Sequence, residues 1–202
     1  MSDLVKRRTA QTRAEIVDAA IGLFAVQGFD ATSMEQVADA AGVSRRTVYR
    51  YFPTKDDLVF ESPRQWLAVL NETLDTRTPE ESTRDVFGRA LLDVARFIES
   101  NRATVVAQFS ILAASPALMS RHGRSDAEWT ARYLELLGPD VAGETDGPLL
   151  ATVAAMALVA AQNALVAVWA TSRPDVDLLA MTQTMLDQTD SLWPPDSRRP
   201  PT

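Results

Sequence analysis

Three arginines and one tyrosine fall on a single side of a short helix predicted in the first quarter of the chain. With about 100° between successive residues, their side chains share an arc of about 140°. These residues are Arg45, Arg46, Tyr49 and Arg50. Val48 and Phe52 lie on the opposite side, where they can enter a core. Guanidinium groups form bidentate hydrogen bonds with guanine O6 and N7, so this face is suited to reading the major groove of DNA.

The residues around this face predict two short helices joined by a tight turn. Ser33 or Thr32 can cap the first helix, because a Gln or Glu three residues later completes a capping box for each. Gly42 suits the left-handed residue that ends such a helix. Ser44 can cap the second helix, and Pro53 disfavours helical geometry at the residue before it. The alternative interpretation is a charged, solvent-exposed face on a small helical hairpin.

Two further basic features flank this hairpin. Thr54, with Asp57 as its capping partner, begins a third short helix. Lys55 lies in the first turn of that helix, where a DNA phosphate could approach the helix N-terminus. The segment Lys6-Arg7-Arg8 could reach an adjacent minor groove as a flexible arm. Its alternative is a solvated terminus that makes no DNA contact.

The hairpin resembles the helix-turn-helix of the tetracycline-repressor (TetR) family, whose pattern is roughly A-x-x-A-G-V-S-x-x-T-x-Y-x-Y-F-x-x-K-x-x-L. The resemblance covers about residues 9 to 60, including a preceding helix that ends at Gly28-Phe29. The chain matches the pattern at Ala38, Ala41, Gly42, Val43, Ser44, Thr47, Tyr49, Tyr51, Phe52, Lys55 and Leu58.

The resemblance implies a set of DNA contacts for this chain. Base or groove contacts are implied for Arg45, Arg46, Tyr49 and Arg50. Backbone contacts are implied for Ser33, Ser44, Thr47, Tyr51 and Lys55. Arg50 departs from the aromatic residue or histidine often found at its position, so a phosphate contact is the alternative for that residue.

Apolar residues recur at helical spacing through the rest of the chain, and we predict an all-α fold of about nine helices. We expect a basic flexible arm at 1–8 and a helix-turn-helix DNA-binding domain at 9–55, with its motif at 33–52. A ligand-binding and dimerisation domain is expected at 56–193, followed by a disordered tail at 194–202. Disorder is expected there because the tail is rich in proline.

Proline and capping residues predict several helix boundaries in this second domain. Ser62-Pro63 predicts a break, with Ser62 capping a segment that continues to Leu74. Thr78 is followed by proline and two glutamates, which predicts a helix start that leads into a buried stripe. The stripe is Val86, Phe87, Ala90, Leu91, Val94 and Ile98. Further helices are predicted at 102–114 and 116–137.

The net charge of −7 conceals an uneven distribution. Residues 1 to 55 hold eight Lys or Arg against six Asp or Glu, a balance of +2 that leaves −9 for the remainder. A modestly basic head on an acidic body suits DNA binding through one end of the molecule. It argues against non-specific coating of nucleic acid.

Residues 148 to 172 contain no charged residue, which raises the possibility of a membrane span. We reject that interpretation because the segment is rich in alanine, holds Gln162 and Asn163 near its middle, and lacks flanking basic or aromatic belts. A helix so apolar should be buried on every side. The TetR resemblance implies that the helices at about 148–172 and 175–192 form a four-helix bundle in a homodimer. Half-sites about one DNA turn, roughly 34 Å, apart also require two copies.

The same resemblance implies a small-molecule pocket among the middle helices. The candidate lining residues are Trp66, Gln108, Phe109, Trp129, Tyr133 and Asn163, with Met119, Met156 and Trp169 as further candidates. Ordinary core packing is the alternative for each of them. The stretch from Ile111 to Leu137 also resembles a TetR subgroup that binds acyl-coenzyme-A-like ligands, which would bring Arg121 and Arg124 to phosphates. Solvated arginines are the alternative.

The residues offer no catalytic constellation. A single histidine and no cysteine exclude most triads, a disulfide scaffold and cysteine-ligated zinc, and no phosphate-cradling glycine loop is present. We therefore predict a cytoplasmic regulator, not an enzyme, that requires no cofactor or metal. The first hypothesis is a homodimeric repressor of a palindromic operator that a small molecule releases. The second is a regulator gated by a partner protein, and the third is an enzyme that carries a helix-turn-helix.

Overall fold

The computed structural model describes residues 3–78, 80–115, 118, 126–189 and 193, with the backbone alone for residues 3–7. In these residues the chain forms ten α-helices, one short 3-10 helix at Gly138–Val141 and no strand, which confirms the predicted all-α fold. The helices are α1 (Asp3–Gln27), α2 (Met34–Ala40), α3 (Arg45–Tyr51), α4 (Lys55–Val59), α5 (Glu61–Leu74), α6 (Thr83–Ser100), α7 (Arg102–Ala114), α8 (Asp126–Leu137), α9 (Gly147–Ala170) and α10 (Leu178–Gln188).

Local capping sets the bounds of α2. The Ser33 hydroxyl accepts the backbone N–H of Gln36, whose side chain accepts the N–H of Ser33 in return. Ser33 rather than Thr32 is therefore the cap, and the Thr32 hydroxyl bonds back into the turn that precedes α2. Gly42 follows α2 with a φ of 64°, a left-handed conformation that glycine adopts without strain. The predicted tight turn is confirmed.

The break predicted at Ser62-Pro63 is present, but it lies two residues earlier. α4 ends at Val59, Phe60 interrupts the helix, and α5 begins at Glu61. Pro63 is tolerated because it lies in the first turn of α5, where a backbone N–H has no partner within the helix.

α6 begins at Thr83, so the predicted start at Thr78 is wrong. Ser82 is the cap, and its hydroxyl accepts a backbone N–H of the first turn at 3.1 Å. The Glu81 carboxylate does accept the Thr78 N–H at 3.0 Å, as a capping box requires. It also receives two hydrogen bonds from Arg89, at 3.0 and 2.9 Å. Thr78 and Glu81 therefore form a separate turn ahead of α6.

Residue contacts divide the chain into two compact units, each with its own core. Unit 1 comprises residues 1–64 and 103–120, and unit 2 comprises residues 65–102 and 121–202. The core of unit 1 lies among α1 to α4 and α7. Its buried side chains are Ile16, Val17, Ala20, Ile21, Phe24, Met34, Val37, Ala38, Val48, Phe52, Leu58, Val59, Ile111, Leu112 and Leu118.

The core of unit 2 is built around aromatic rings and the apolar face of α6. The ring centroid of Phe87 lies 4.8 Å from that of Tyr133 and 4.7 Å from that of Trp193, with edge-to-face geometry in both pairs. The stripe predicted along α6 is buried over its whole length, and the prediction is confirmed.

α9 is apolar throughout but only partly covered by its own chain. By length and composition it is the one described helix that could cross a membrane, a test that core helices of soluble proteins also pass. Large apolar side chains stay exposed along it, at 63% for Leu149, 55% for Val153, 59% for Met156 and 56% for Val168. The prediction of burial on every side is therefore wrong for the single chain.

Other predictions concern the two ends of the chain and one internal segment. α1 begins at Asp3, so Lys6-Arg7-Arg8 lie in its first turns and not in the flexible arm predicted for residues 1–8. The start of the helix predicted from Pro116, the candidate residues Met119, Arg121 and Arg124, and the tail at 194–202 lie outside the described residues.

Candidate functional site

Burial of one side of α3 turns its basic side toward solvent. Val48 and Phe52 are fully buried, which fixes the rotation of the helix about its axis. The four predicted reading residues are consequently exposed together on the opposite side. They are Arg45, Arg46, Tyr49 and Arg50. Thr47 and Tyr51 are half-buried on the flanks of this face.

The start of α3 is held by a small hydroxyl network. The Ser44 hydroxyl accepts the backbone N–H of Thr47 at 3.1 Å, and the two side-chain hydroxyls lie 2.8 Å apart. Ser33 holds the start of α2 in the same way. Ser33 and Ser44 cap helix N-termini, and Thr47 lies in the first turn of α3. The resemblance implies contacts with the DNA backbone for all three, and a helix N-terminus is where an anion is best accommodated.

Two arginines of the reading face have defined neighbours. A guanidinium nitrogen of Arg45 lies 3.5 Å from a carboxylate oxygen of Glu35 in the first turn of α2, and the Arg45 side chain remains 67% exposed. The Arg50 guanidinium lies over the ring of Tyr51, 4.8 Å from its centroid. The sequence pattern does not reveal the carboxylate beside Arg45, because Glu35 belongs to the other helix of the hairpin.

Lys55 has a structural role that the sequence pattern does not reveal. Its ammonium donates to the carbonyl oxygens of Phe29 at 2.6 Å and Thr32 at 2.9 Å, and lies 3.3 Å from that of Asp30. It also lies 4.4 Å from the centroid of the Phe29 ring. The charge therefore stabilises the turn between α1 and α2, and a phosphate contact would compete with these bonds.

The capping box at the start of α4 includes a carboxyl group with a shifted pKa. Asp57 accepts hydrogen bonds from the N–H and the hydroxyl of Thr54 at 2.9 and 2.7 Å, and Arg64 lies 3.3 Å away. Burial acts to raise the pKa of Asp57, but the bonds from Thr54 and the charge of Arg64 outweigh it, so the pKa is lowered. The cap is therefore strongest with Asp57 ionised.

Two of the six candidate effector residues lie in unit 1. Gln108 is 3% exposed, and among the described residues its side-chain N–H₂ group has no hydrogen-bond partner. Phe109 is half-buried on the same helix, α7. A buried amide donor without a partner is costly, so Gln108 satisfies the condition that would favour a polar ligand group.

The other four candidates lie in unit 2. Trp66 is buried, and its indole N–H has no partner among the described residues. Trp129 and Tyr133 pack edge to face, with ring centroids 6.1 Å apart. The Asn163 amide donates to the carboxylate of Asp126 at 2.9 Å, so this amide needs no ligand to satisfy it.

Unit 2 also contains a small apolar cavity that the sequence does not predict. Its volume is about 20 Å³, and Gln162 is a polar residue in its lining. The remaining residues come from α6, α9 and α10, and none of the six candidates is among them. They are Leu91, Val94, Ala95, Ile98, Leu165, Val166, Leu178, Thr182 and Met185.

Gln162 accepts a buried hydrogen bond from the hydroxyl of Tyr133. Burial raises the pKa of Tyr133 well above its ordinary value, because a phenolate would lose its hydration in this core. Tyr133 therefore supports the wall of the cavity as a neutral donor. Within the described ranges, no group of three or more His, Asp or Glu side chains could hold a metal ion.

Comparisons with known proteins agree with this geometry. The sequence profile described as "Bacterial regulatory proteins, tetR family" matches residues 16–61. The transcriptional regulator MftR of Mycobacterium tuberculosis, named for mycofactocin biosynthesis, is 31% identical over 150 residues, which cover 74% of this chain and 76% of that protein. The HTH-type transcriptional regulator TcmR of Streptomyces glaucescens is 26% identical over 207 residues, 98% of this chain and 91% of that one.

A solved structure supports the fold of most of the chain. FadR from Bacillus subtilis, a transcriptional regulator crystallised in complex with stearoyl-CoA, superposes with a TM-score of 0.65. It is 18% identical, and the match covers 86% of this chain and 95% of that one. At this level of identity the match establishes a shared fold.

Proposed function

Since this chain belongs to the TetR family of DNA-binding transcriptional regulators, which are not enzymes, we propose that it acts as a homodimeric repressor of a palindromic operator. Unit 1 reads DNA through α3, and α9 and α10 of unit 2 form the dimer. A small-molecule effector, for which we propose an acyl-CoA or another molecule with an apolar chain, binds the helical body and releases the operator. The protein acts in the cytoplasm.

One observation carries the DNA-reading part of this proposal. The exposed side of α3 presents three guanidinium groups and a phenol, while the opposite side is locked into the core of unit 1. A rigid helix with this surface is what direct readout of base edges in the major groove requires. The helix caps at Ser33 and Ser44 supply hydroxyl and N–H groups suited to phosphates.

The exposed face of α9 supports the homodimer. Exposed apolar residues recur every three or four positions along it, which defines a continuous stripe on the helix surface. The stripe consists of Leu149, Val153, Met156, Ala160, Ala164 and Val168. It is about 28 Å long at 1.5 Å per residue. An apolar surface of this extent is unusual on a soluble monomer, and the two alanines permit close approach of a second helix.

Two features support an apolar effector. The cavity in unit 2 has an almost entirely apolar lining, although its volume of about 20 Å³ is far below the roughly 300–1,000 Å³ of typical ligand pockets. A ligand the size of an acyl chain would therefore have to enlarge it. The similar FadR fold was crystallised with stearoyl-CoA, a ligand that combines an acyl chain with phosphates.

A ligand titration tests this proposal. The full-length protein is first used to select its operator from randomised DNA duplexes, and its thermal unfolding is then measured with an acyl-CoA series from butyryl to stearoyl. We expect one or more members to stabilise the protein and to weaken operator binding by about 1–3 kcal/mol. Free coenzyme A and free fatty acid serve as controls.

The outcome separates the proposal from its alternatives. Stabilisation without loss of operator binding would contradict release by the ligand. If no member of the series stabilises the protein while the operator is still bound, the acyl-CoA assignment is wrong and gating by a partner protein is favoured.

A further inference from the structure

The guanidinium group of Arg13, on α1, contacts the end of α3 and the first residue of α5, both within unit 1. Its Nε donates to Glu61 Oε1 at 2.8 Å, and its Nη2 donates to Glu61 Oε2 at 2.5 Å. Its Nη1 donates to the carbonyl oxygen of Tyr51, the last residue of α3, at 3.4 Å. The same group lies over the ring of Phe52, 4.7 Å from the centroid. One side chain thus joins the end of α3 to the start of α5.

The surroundings of this pair make its geometry well defined. Glu61 is 4% exposed and the Arg13 side chain 29%, so the carboxylate depends on Arg13 for much of its solvation. The pair is bidentate, and a planar guanidinium bound through two parallel hydrogen bonds has little freedom to rotate. The hydrogen bond to Glu61 outweighs desolvation and raises the pKa of Arg13, so the group stays charged.

We propose that Arg13 is a positioning residue for DNA reading, which fixes the C-terminal end of α3 through Tyr51 and Phe52 and thereby sets the angle of the reading face. This inference rests on the proposed role of α3 as the reading helix. α3 has only seven residues and is therefore about 10 Å long. A small displacement of either end tilts every side chain on it.

The two ends of α3 are held by different means, which makes Arg13 important. At the N-terminal end, Ser44 and Thr47 form a local cap within the hairpin. At the C-terminal end, Phe52 is buried and its ring lies under the Arg13 guanidinium, whose orientation Glu61 fixes. Glu61 is the first residue of α5 and lies in the part of that helix that belongs to unit 1, so the whole contact is internal to unit 1.

If the Arg13–Glu61 pair only stabilises the fold, replacing both residues should leave DNA binding unchanged. If the pair positions α3, the same replacement should weaken binding to the selected duplex. Replacing both members of a buried ion pair with apolar residues often leaves stability unchanged, whereas removing one member alone strands a buried charge. The double variant Arg13→Met with Glu61→Met therefore removes the positioning contacts and keeps the fold. Arg64→Met is a control for the loss of one arginine of an ion pair, because it breaks the exposed pair of α5 with Asp57 and leaves Arg13 and Glu61 in place.

The experiment uses the full-length protein labelled with 3-fluorotyrosine. The chain has three tyrosines, of which Tyr49 and Tyr51 lie on α3 and Tyr133 lies in the core of unit 2. Fluorine NMR signals, assigned with Tyr→Phe variants, therefore report on α3 against an internal reference. Binding is measured to the duplex that the wild type selects from a randomised pool, and to an unrelated duplex of equal length.

We expect the double variant to unfold at the wild-type temperature and to lose about tenfold affinity for the selected duplex, with less than about twofold change on the unrelated duplex. The Tyr51 signal should shift or broaden while the Tyr133 signal stays in place. Arg64→Met should behave as the wild type in all three measurements. Arg13→Lys should be intermediate, since a single ammonium cannot reproduce the bidentate pair together with the Tyr51 contact.

Wild-type affinity for the selected duplex in the double variant, with an unchanged Tyr51 signal, would overturn the inference. If the double variant does not fold, Arg13→Lys decides by the same two readouts. If the wild type selects no duplex, the proposed DNA reading fails, and an unchanged Tyr51 signal in the double variant would independently contradict the positioning role.

Discussion

The ammonium nitrogen of Lys55 lies 2.6 Å from the carbonyl oxygen of Phe29, 26 residues earlier in the chain. The resemblance to the TetR helix-turn-helix implies a phosphate contact for Lys55, yet its charge is used inside unit 1. A charged donor shared among carbonyl oxygens of one turn stabilises that turn, and the turn sets where α2 begins. Stabilisation of the turn and contact with a phosphate predict different effects of replacing Lys55.

Replacing Lys55 with methionine should lower the free energy of unfolding by about 1.5–3 kcal/mol, because hydrogen bonds from a charged donor are lost. The dependence of operator affinity on salt should stay unchanged. Urea denaturation and a salt titration of DNA binding measure the two effects. A salt slope reduced in magnitude by about 0.9, with unchanged stability, would identify Lys55 as a phosphate contact instead.

Replacing Arg45 with alanine should cost about 1–3 kcal/mol of binding to the selected operator and relax base preference at one position of each half-site. The reason is the loss of a guanidinium on the exposed face of α3. Competition binding against single-base operator variants measures both the loss of affinity and the change in base preference. Arg64→Ala is the control, because it removes the same charge. An equal loss of binding free energy on random DNA would show that Arg45 contacts a phosphate and not a base.

Introducing arginine at Ala164, on the apolar stripe of α9, should convert the proposed dimer to a monomer. An unpaired charge buried between two helices costs at least about 3 kcal/mol. Ala131→Arg, at an exposed position of α8, is the matched control and should remain dimeric. Sedimentation velocity distinguishes the two species. A dimer that persists in Ala164→Arg would place the interface elsewhere.

Tyr133→Phe should lower the free energy of unfolding by about 1–3 kcal/mol near neutral pH, since the buried oxygen of Gln162 loses its donor. The ring contacts with Phe87 and Trp129 remain. Tyr49→Phe, at a 47% exposed position, is the control and should change little. Urea denaturation of the three proteins measures the differences.

The raised pKa of Tyr133 also predicts how stability depends on pH. The unfolded chain releases this proton at about pH 10, whereas the folded chain retains it to higher pH. The wild type should therefore lose stability above about pH 10, and Tyr133→Phe should lose less over the same interval. Equal alkaline losses in both proteins would show that Tyr133 is not responsible.

The sequence locates the α2–α3 hairpin almost to the residue because its signals are local. Ser33 and Ser44 each cap the helix that immediately follows, and Gly42 adopts the left-handed conformation that only glycine accepts freely. Each of these interactions spans at most a few residues. Inspection of the sequence is therefore sufficient to predict them.

The starts of α5 and α6 are harder to predict, because several local signals compete. Thr78 and Ser82 both begin sequences that can cap a helix. Glu81, the capping partner of Thr78, also accepts two hydrogen bonds from Arg89 on α6. Pro63 suggests a break at its own position, but the first turn of a helix tolerates it. Tertiary contacts choose among these signals, and they are not visible in a short window of sequence.

Contacts between distant residues are outside the reach of pattern reasoning altogether. Arg13 and Glu61 are 48 residues apart, and neither stands out as one of a pair in the sequence. The apolar composition of α9 predicts that it is covered, but composition cannot distinguish covering by the same chain from covering by a second copy. The exposed fractions of Leu149 and Val168 show that the described part of the chain leaves this face of α9 uncovered.

Selection of operators by the full-length protein from randomised duplexes tests the central claim most directly. A homodimer that reads DNA through two copies of α3 should enrich an inverted repeat, with half-site centres about one helical turn, roughly 34 Å, or a multiple of it apart. The enriched duplex should bind one dimer. Enrichment of a single unrepeated site bound by one chain, or no enrichment at all, would contradict the account.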